Sequence, residues 1–194
     1  MIMRAFNFFS FSSYKELLFK YPCVKTEGCL NDKNIWIRTS EEHPAIETFL
    51  LEKEANVRCV LSNEYLHEVE RPNFAIVLPL EKAEESEAGY YEIMNHYIKF
   101  TQMLVHKMPD NNEFAHIVYI LPQCSNQFSS KLTNMAYYAL NGLAKGLGLL
   151  YAKKGIIVNA IILSDMANIA MTENWLNLLL SDNSNNIVGQ CIEL

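Results

Sequence analysis

The stretch TNMAYYALNGLAKGLGLLYAKKGIIVNAI, residues 133–161, decides how this chain is read. It has the apolar spacing of a long helix, then a glycine stop, then the unbroken apolar run of a buried strand. The helix carries Gly142, Gly146 and Gly148 in its interior, and each costs about 1 kcal/mol relative to alanine. Gly142 with Gly146, and Ala144 with Gly148, form two small faces at i, i+4 spacing where another backbone can approach closely. That backbone belongs either to a second subunit or to this chain's own sheet.

Working outward, the same two patterns alternate. NIWIRT, NVRCVL, NFAIVLPL and AHIVYILP read as strands, the later ones rich in residues that suit a sheet buried on both faces. HPAIETFLLEKEA and YYEIMNHYIKFTQMLVHKM read as helices, the second with Ile93, Tyr97, Phe100, Met103 and Leu104 on one side. EKAEESEAG is a solvated acidic segment, and the tail TENWLNLLLSDNSNNIVGQCIEL reads as helix, turn and last strand. Strands alternating with helices predict right-handed crossovers and a mainly parallel sheet covered on both faces. Residues 1–33 lack a clear period and are taken as an N-terminal extension or extra strand, with a single domain over 34–194.

Composition narrows the function classes. The 194 residues are 50% hydrophobic and 20% charged, which suits one globular domain with a full core. A net charge of -6 with no basic cluster argues against nucleic acid. No apolar run reaches the roughly 18 residues of a membrane span, so a cytoplasmic chain is expected. The cysteines Cys23, Cys29, Cys59, Cys124 and Cys191 form no C-x-x-C pair and read as structural thiols. The histidines His43, His67, His96, His106 and His116 make no metal-binding pattern, so no metal is expected, and His96 and His106 are read as surface residues.

At this point the chain resembles the short-chain dehydrogenase/reductase family, its ketoacyl-carrier-protein reductases in particular. ALNGLAKGLGLLYAKKGIIVNAI resembles that family's active-site helix and following strand. NHYIKFTQMLVHKMPDNNEFAHIVYI resembles the preceding helix and strand, with Asn95 at the family's catalytic asparagine, and LLLSDNSNNIVGQCIEL resembles its C-terminal elements. The resemblance implies a Rossmann-like, three-layer α/β fold lacking some elements of the first half: about a dozen residues separate NVRCVL from NFAIVLPL. It also implies a four-helix contact between subunits, through Tyr97, Met103, Leu104, Tyr138, Asn141, Gly142, Lys145, Gly146 and Leu149.

The departures from the family fall on its chemistry. Registering ALNGLAKG puts Thr133 where the family has its acid tyrosine and Tyr137 where it has the lysine that lowers that tyrosine's pKa. A threonine hydroxyl is far too weak an acid for a phenol's role. The family's serine falls at about Leu121 or Pro122; Ser125, Ser129 and Ser130 lie downstream. The turn after the first strand, Thr39, Ser40, Glu41, Glu42 and His43, contains no glycine to let backbone N–H groups reach a pyrophosphate. A phosphate ~5 Å from either glutamate would be repelled by about 3 kcal/mol at an effective dielectric of 20. The family's Asn-Asn-Ala-Gly appears as LPLE, residues 78–81, and its substrate lid shrinks to SDMANIAMTEN.

The expectation is a non-catalytic subunit without cofactor, paired as a homodimer or as a heteromer with an active reductase of the family. The rivals are an NADPH-dependent ketoacyl or polyketide reductase with an atypical or partner-completed site, and a small-ligand module near Pro79, Pro122 and Ser164.

Overall fold

A computed structural model describes residues 30–40, 44–61, 72–80, 86–107, 114–123, 131–181, 184–185 and 187–194. Its strands are β1 (Asn34–Thr39), β2 (Asn56–Leu61), β3 (Phe74–Val77), β4 (Ala115–Pro122), β5 (Ile156–Leu163) and β6 (Cys191–Glu193). They form one sheet in the order β2-β1-β3-β4-β5-β6, with every adjacent pair parallel. β4 and β5 are buried at every position, as continuous apolar strands in the middle of a doubly covered sheet must be.

The helices are α1 (Pro44–Glu52), α2 (Glu87–Lys107), α3 (Lys131–Tyr151) and α4 (Glu173–Leu179). Strand alternation sorts the core into two layers. Ile35, Ile37 and Ile76 meet Ile46 and Leu50 of α1 and Leu176 and Leu179 of α4 on one face. Trp36, Ala75 and Val77 meet Ile93, Phe100 and Leu104 of α2 and Leu140 and Ala144 of α3 on the other. This is the three-layer α/β architecture that the alternating pattern predicts. Leu30 is buried in the first of these cores, so the chain is already packed on the domain before β1 begins.

Two element boundaries differ from expectation. α2 starts at Glu87 inside the expected acidic loop, because the Ser86 hydroxyl accepts a hydrogen bond from the Gly89 N–H at 3.1 Å and Glu87 sits at the positive end of the helix dipole. The SDMANIAMTEN segment is not bare loop: Met166–Thr172 forms a 3₁₀ turn leading into α4. The helix of residues 131–151 does stop as its sequence demands, with Gly155 in the left-handed region (φ 74°) and its N–H donating to Ala152 O at 3.0 Å.

The interior glycines of α3 divide into two kinds. A Cβ on Gly148 would lie 2.6 Å from Gly189 Cα and 2.9 Å from Val158 O, so this glycine packs against the chain's own C-terminal segment. Gly189 itself needs φ 65°, with Lys145 O only 3.0 Å from where its Cβ would stand. Gly142 and Gly146 meet nothing within 4 Å. Among the described residues no strand pairs with the outer edge of β2, and no helix is long and apolar enough to cross a membrane.

Candidate functional site

The strand order reverses direction at β1, which has β2 on one side and β3 on the other. In doubly wound sheets this switch point opens a crevice at the carboxyl ends of the strands, where ligands bind. Here Leu78 N–H donates to Arg38 O at 2.9 Å, and the Leu78 and Pro79 side chains are buried in the turn after β3. Arg38 places its guanidinium over the Phe100 ring, 5.4 Å from the centroid, and donates to Leu61 O. From α2, His96 reaches Leu78 O with Nε2 at 3.0 Å; a carbonyl only accepts, so Nε2 carries the proton. Burial, and after it the Arg38 charge, lower the His96 pKa from 6.5 to about 4, against the opposing pull of the Leu78 hydrogen bond. The imidazole is therefore neutral at pH 7, and its Nδ1 is buried without a partner.

The turn beyond β1 has no glycine to bring backbone N–H groups close to the pyrophosphate of a dinucleotide. It begins with Thr39, 1% exposed, and Ser40, whose buried hydroxyl has no partner. α1 opens on Pro44, which removes one N–H donor from the helix terminus where an anion would sit. Glu41, Glu42 and His43 lie outside the described residues.

A second feature lies at the carboxyl ends of β4, β5 and β6, beneath α3. A cavity of about 110 Å³ is lined there by Leu121, Pro122, Gln123, Tyr137, Tyr138, Asn141, Ile162 and Glu193. Asn141 lines it, while its Oδ1 has no accessible surface and accepts no hydrogen bond among the described residues. Thr133, half-buried, and Tyr137, 5% exposed, lie one turn apart and continue along α3 to Asn141. Asn95 is exposed on α2 and does not line this cavity, so the three family-register positions do not converge on it. Of the residues expected near a small ligand, Pro122 lines the cavity, Pro79 is buried and Ser164 is exposed. Sequence reasoning missed Gln123, Ile162 and Glu193, which come from strand ends far apart in the chain and carry no shared motif.

Two other polar groups prove structural. His116 Nε2 lies 3.1 Å from Asn185 Oδ1 and its Nδ1 lies 3.2 Å from Ser184 Oγ, an outline of a serine nucleophile and its base. Ser184 is fully buried and its hydroxyl donates to Leu179 O and Ser181 O, so no substrate carbonyl reaches it. The cluster instead ties the tail to β4, and Asn159 ties it to β5 by donating to Ile187 O at 2.7 Å and accepting from Gln190 N–H at 2.9 Å. Tyr97 donates to Ile120 O at 2.8 Å, and Tyr119 is hydrogen-bonded to Thr101. Burial pushes both phenols well above the usual tyrosine range, which makes them poor acids.

Several expectations need correction. His96 is not a surface residue but 5% exposed, and only His106 of that pair is exposed. Tyr97 and Leu104 cannot meet a second subunit, because both are 0% exposed in this chain's core. Met103 and Asn141 are half-buried, whereas Tyr138, Gly142, Lys145, Gly146 and Leu149 are exposed. Cys59 is half-buried with Sγ donating to Glu47 Oε1 at 3.1 Å, and Cys191 has its pKa raised mainly by burial. Cys23, Cys29, Cys124, His43, His67, Ser125, Ser129 and Ser130 lie outside the described residues. Among the described residues no cluster of His, Cys, Asp and Glu could hold a metal ion.

No protein-family model and no curated protein matches the sequence. Solved structures do match the fold. A double mutant of a Serratia marcescens short-chain dehydrogenase/reductase superposes with TM-score 0.66 at 13% identity, over 86% of this chain and 97% of that one. A short-chain dehydrogenase from Leptospira borgpetersenii with bound NAD+ gives 0.63 at 13% identity, over 87% and 93%. A 4-hydroxyisoleucine dehydrogenase in complex with NADH and succinate gives 0.67 at 15% identity, over 82% and 96%. The chain thus has the short-chain dehydrogenase/reductase fold, and identities this low speak to the fold alone.

Proposed function

We propose that this chain is a non-catalytic subunit of short-chain dehydrogenase/reductase fold that assembles through the outer face of α3, with a second copy or with an active reductase of the same fold. The observation that carries the reading is the state of that face. Met135, Tyr138, Leu149 and Leu150 are 58, 63, 75 and 63% exposed, with the bare glycines Gly142 and Gly146 between them. Apolar side chains grouped in this way on a surface mark a contact with another molecule, and glycines at i, i+4 let a second helix come close. Tyr91 of α2 is also exposed, at 55%.

The non-catalytic part of the reading rests on the crevice. It offers a proline, buried leucine and a committed arginine where a cofactor would need open backbone, and Thr133 stands where a phenol would be needed. Cys59, whose thiol donates to Glu47, and Cys191 are thiols and not disulfides, which suits a reducing compartment such as the cytoplasm.

Sedimentation velocity of the chain alone, and mixed with an active reductase of this fold, tests the assembly. A dimeric or heteromeric species is expected, and Leu149→Arg combined with Tyr138→Glu should return it to monomer with the melting temperature of the isolated subunit unchanged. A wild-type chain that stays monomeric in both settings contradicts the reading.

A further inference from the structure

We propose that the outer face of α3 docks an acidic amphipathic helix of a different protein in preference to a second copy of this chain. The inference rests on the assembly reading and gives that surface a partner of stated chemistry. Charge is the first argument. The chain carries a net charge of -6, yet its sequence has no Asp or Glu between Glu113 and Asp165. The Lys and Arg residues in that run are Lys131, Lys145, Lys153 and Lys154, all of them exposed on α3 or on the turn that ends it. An acidic protein thus presents a helix face that carries positive charge alone.

Position is the second argument. Steps of three and four residues carry one stripe of α3 from Lys131 through Met135, Tyr138, Gly142, Lys145 and Leu149 to Lys153. An apolar strip about 30 Å long therefore has a lysine at each end and a third beside the dip at Gly142 and Gly146. The chain itself accounts for two of the lysines. Lys153 stands at the negative end of the helix dipole, and Lys154 Nζ lies 5.7 Å from the Tyr151 ring centroid. Lys131 instead opposes the dipole at the first residue of α3, in a first turn without acid. A carboxylate carried on a partner offsets Lys131 and Lys145, which no acidic residue of α3 does.

A second copy fits this face less well. In a two-fold contact the same patch meets itself, so antiparallel α3 helices crossing at Gly142 and Gly146 bring Lys145 towards Lys145 and Lys131 towards Lys153. Like charges set opposite one another disfavour such a partner. A lipid surface fits less well too, because the bare glycines leave a dip that a helix fills and a flat bilayer does not.

The probes are a synthetic helix as long as α3, with an alanine and leucine stripe flanked by glutamates, and the same peptide with every glutamate replaced by lysine. Fluorescence anisotropy follows each against the full chain. At low salt the glutamate peptide is expected to bind saturably, about tenfold or more tighter than the lysine peptide, with the difference closing as salt rises. Lys131→Glu combined with Lys145→Glu should reverse that order. Gly142→Gln should weaken the glutamate peptide about tenfold by filling the dip, since its Cβ strikes nothing in the chain. Circular dichroism melts show that the variants remain folded. Equal binding of the two peptides, no saturable binding of either, or a glutamate peptide indifferent to both variants overturns the proposal. So do phosphatidylglycerol vesicles that bind the chain and displace the peptide. A homodimer that Leu149→Arg returns to monomer, and that the glutamate peptide does not displace, supports the assembly reading and overturns this proposal alone.

Discussion

The α2–α3 layer has two sides, and they treat the same residue types in opposite ways. On the inner side Gly148 is pressed against Gly189 and Val158, Tyr97 and Tyr119 sit edge to face with centroids 5.1 Å apart, and Ala136, Leu140 and Ala144 are sealed. On the outer side Gly142 and Gly146 face open space, and Tyr138 stands 63% exposed. A glycine inside a helix therefore has no fixed meaning. Its meaning is set by what lies within a few ångströms, and in α3 the two answers alternate within two turns.

The sharpest way to break this comparison is to add one methyl to each side. Gly148→Ala must displace backbone, so it should destabilise the fold by about 3 kcal/mol in urea unfolding; a neutral result would mean that α3 does not sit so close to the C-terminal segment.

The next effect in size tests the inner side of α2. The folded-state pKa of His96, about 4, lies below its unfolded value of 6.5. Between those values the unfolded chain binds the proton and the folded chain does not. The contribution is thus present above pH 6.5 and is lost as pH falls towards 4, by about 3 kcal/mol at most. Replacing His96 with Gln should flatten stability across that window, and an unchanged pH slope would show that the imidazole is solvated.

The smallest effect belongs to the outer side. Gly142→Ala and Gly146→Ala should each raise the stability of the isolated subunit by about 0.5–1 kcal/mol, since helix propensity improves and nothing is struck. Destabilisation by either would sink the claim that this face is open.

Much of the fold was legible because its signals are local. AHIVYILP and GIIVNAIIL could be little other than central strands, and the glycine after α3 marked its end. Ser86 was also a readable cap, lost because the acidic residues around it looked like loop. The burial of α2 was harder to see. Ile93, His96, Tyr97, Phe100, Thr101 and Leu104 are all buried, an arc wider than a single apolar stripe, because the helix packs on both the sheet and α3. A histidine at the edge of that arc reads as surface by type and is core by position. Tyr97 and Leu104 face the wrong way for a partner for the same reason. The cavity left no trace in the sequence: Gln123, Asn141 and Glu193 meet only through tertiary packing, with no spacing that announces them.

A non-catalytic role requires that the crevice between β1 and β3 bind no dinucleotide. Titration of the purified full-length chain with NADPH and NADH, followed by isothermal calorimetry and by the fluorescence of Trp36 and Trp175, tests this most directly. The expected result is no saturable signal with either nucleotide. Saturable binding at micromolar concentration would contradict it.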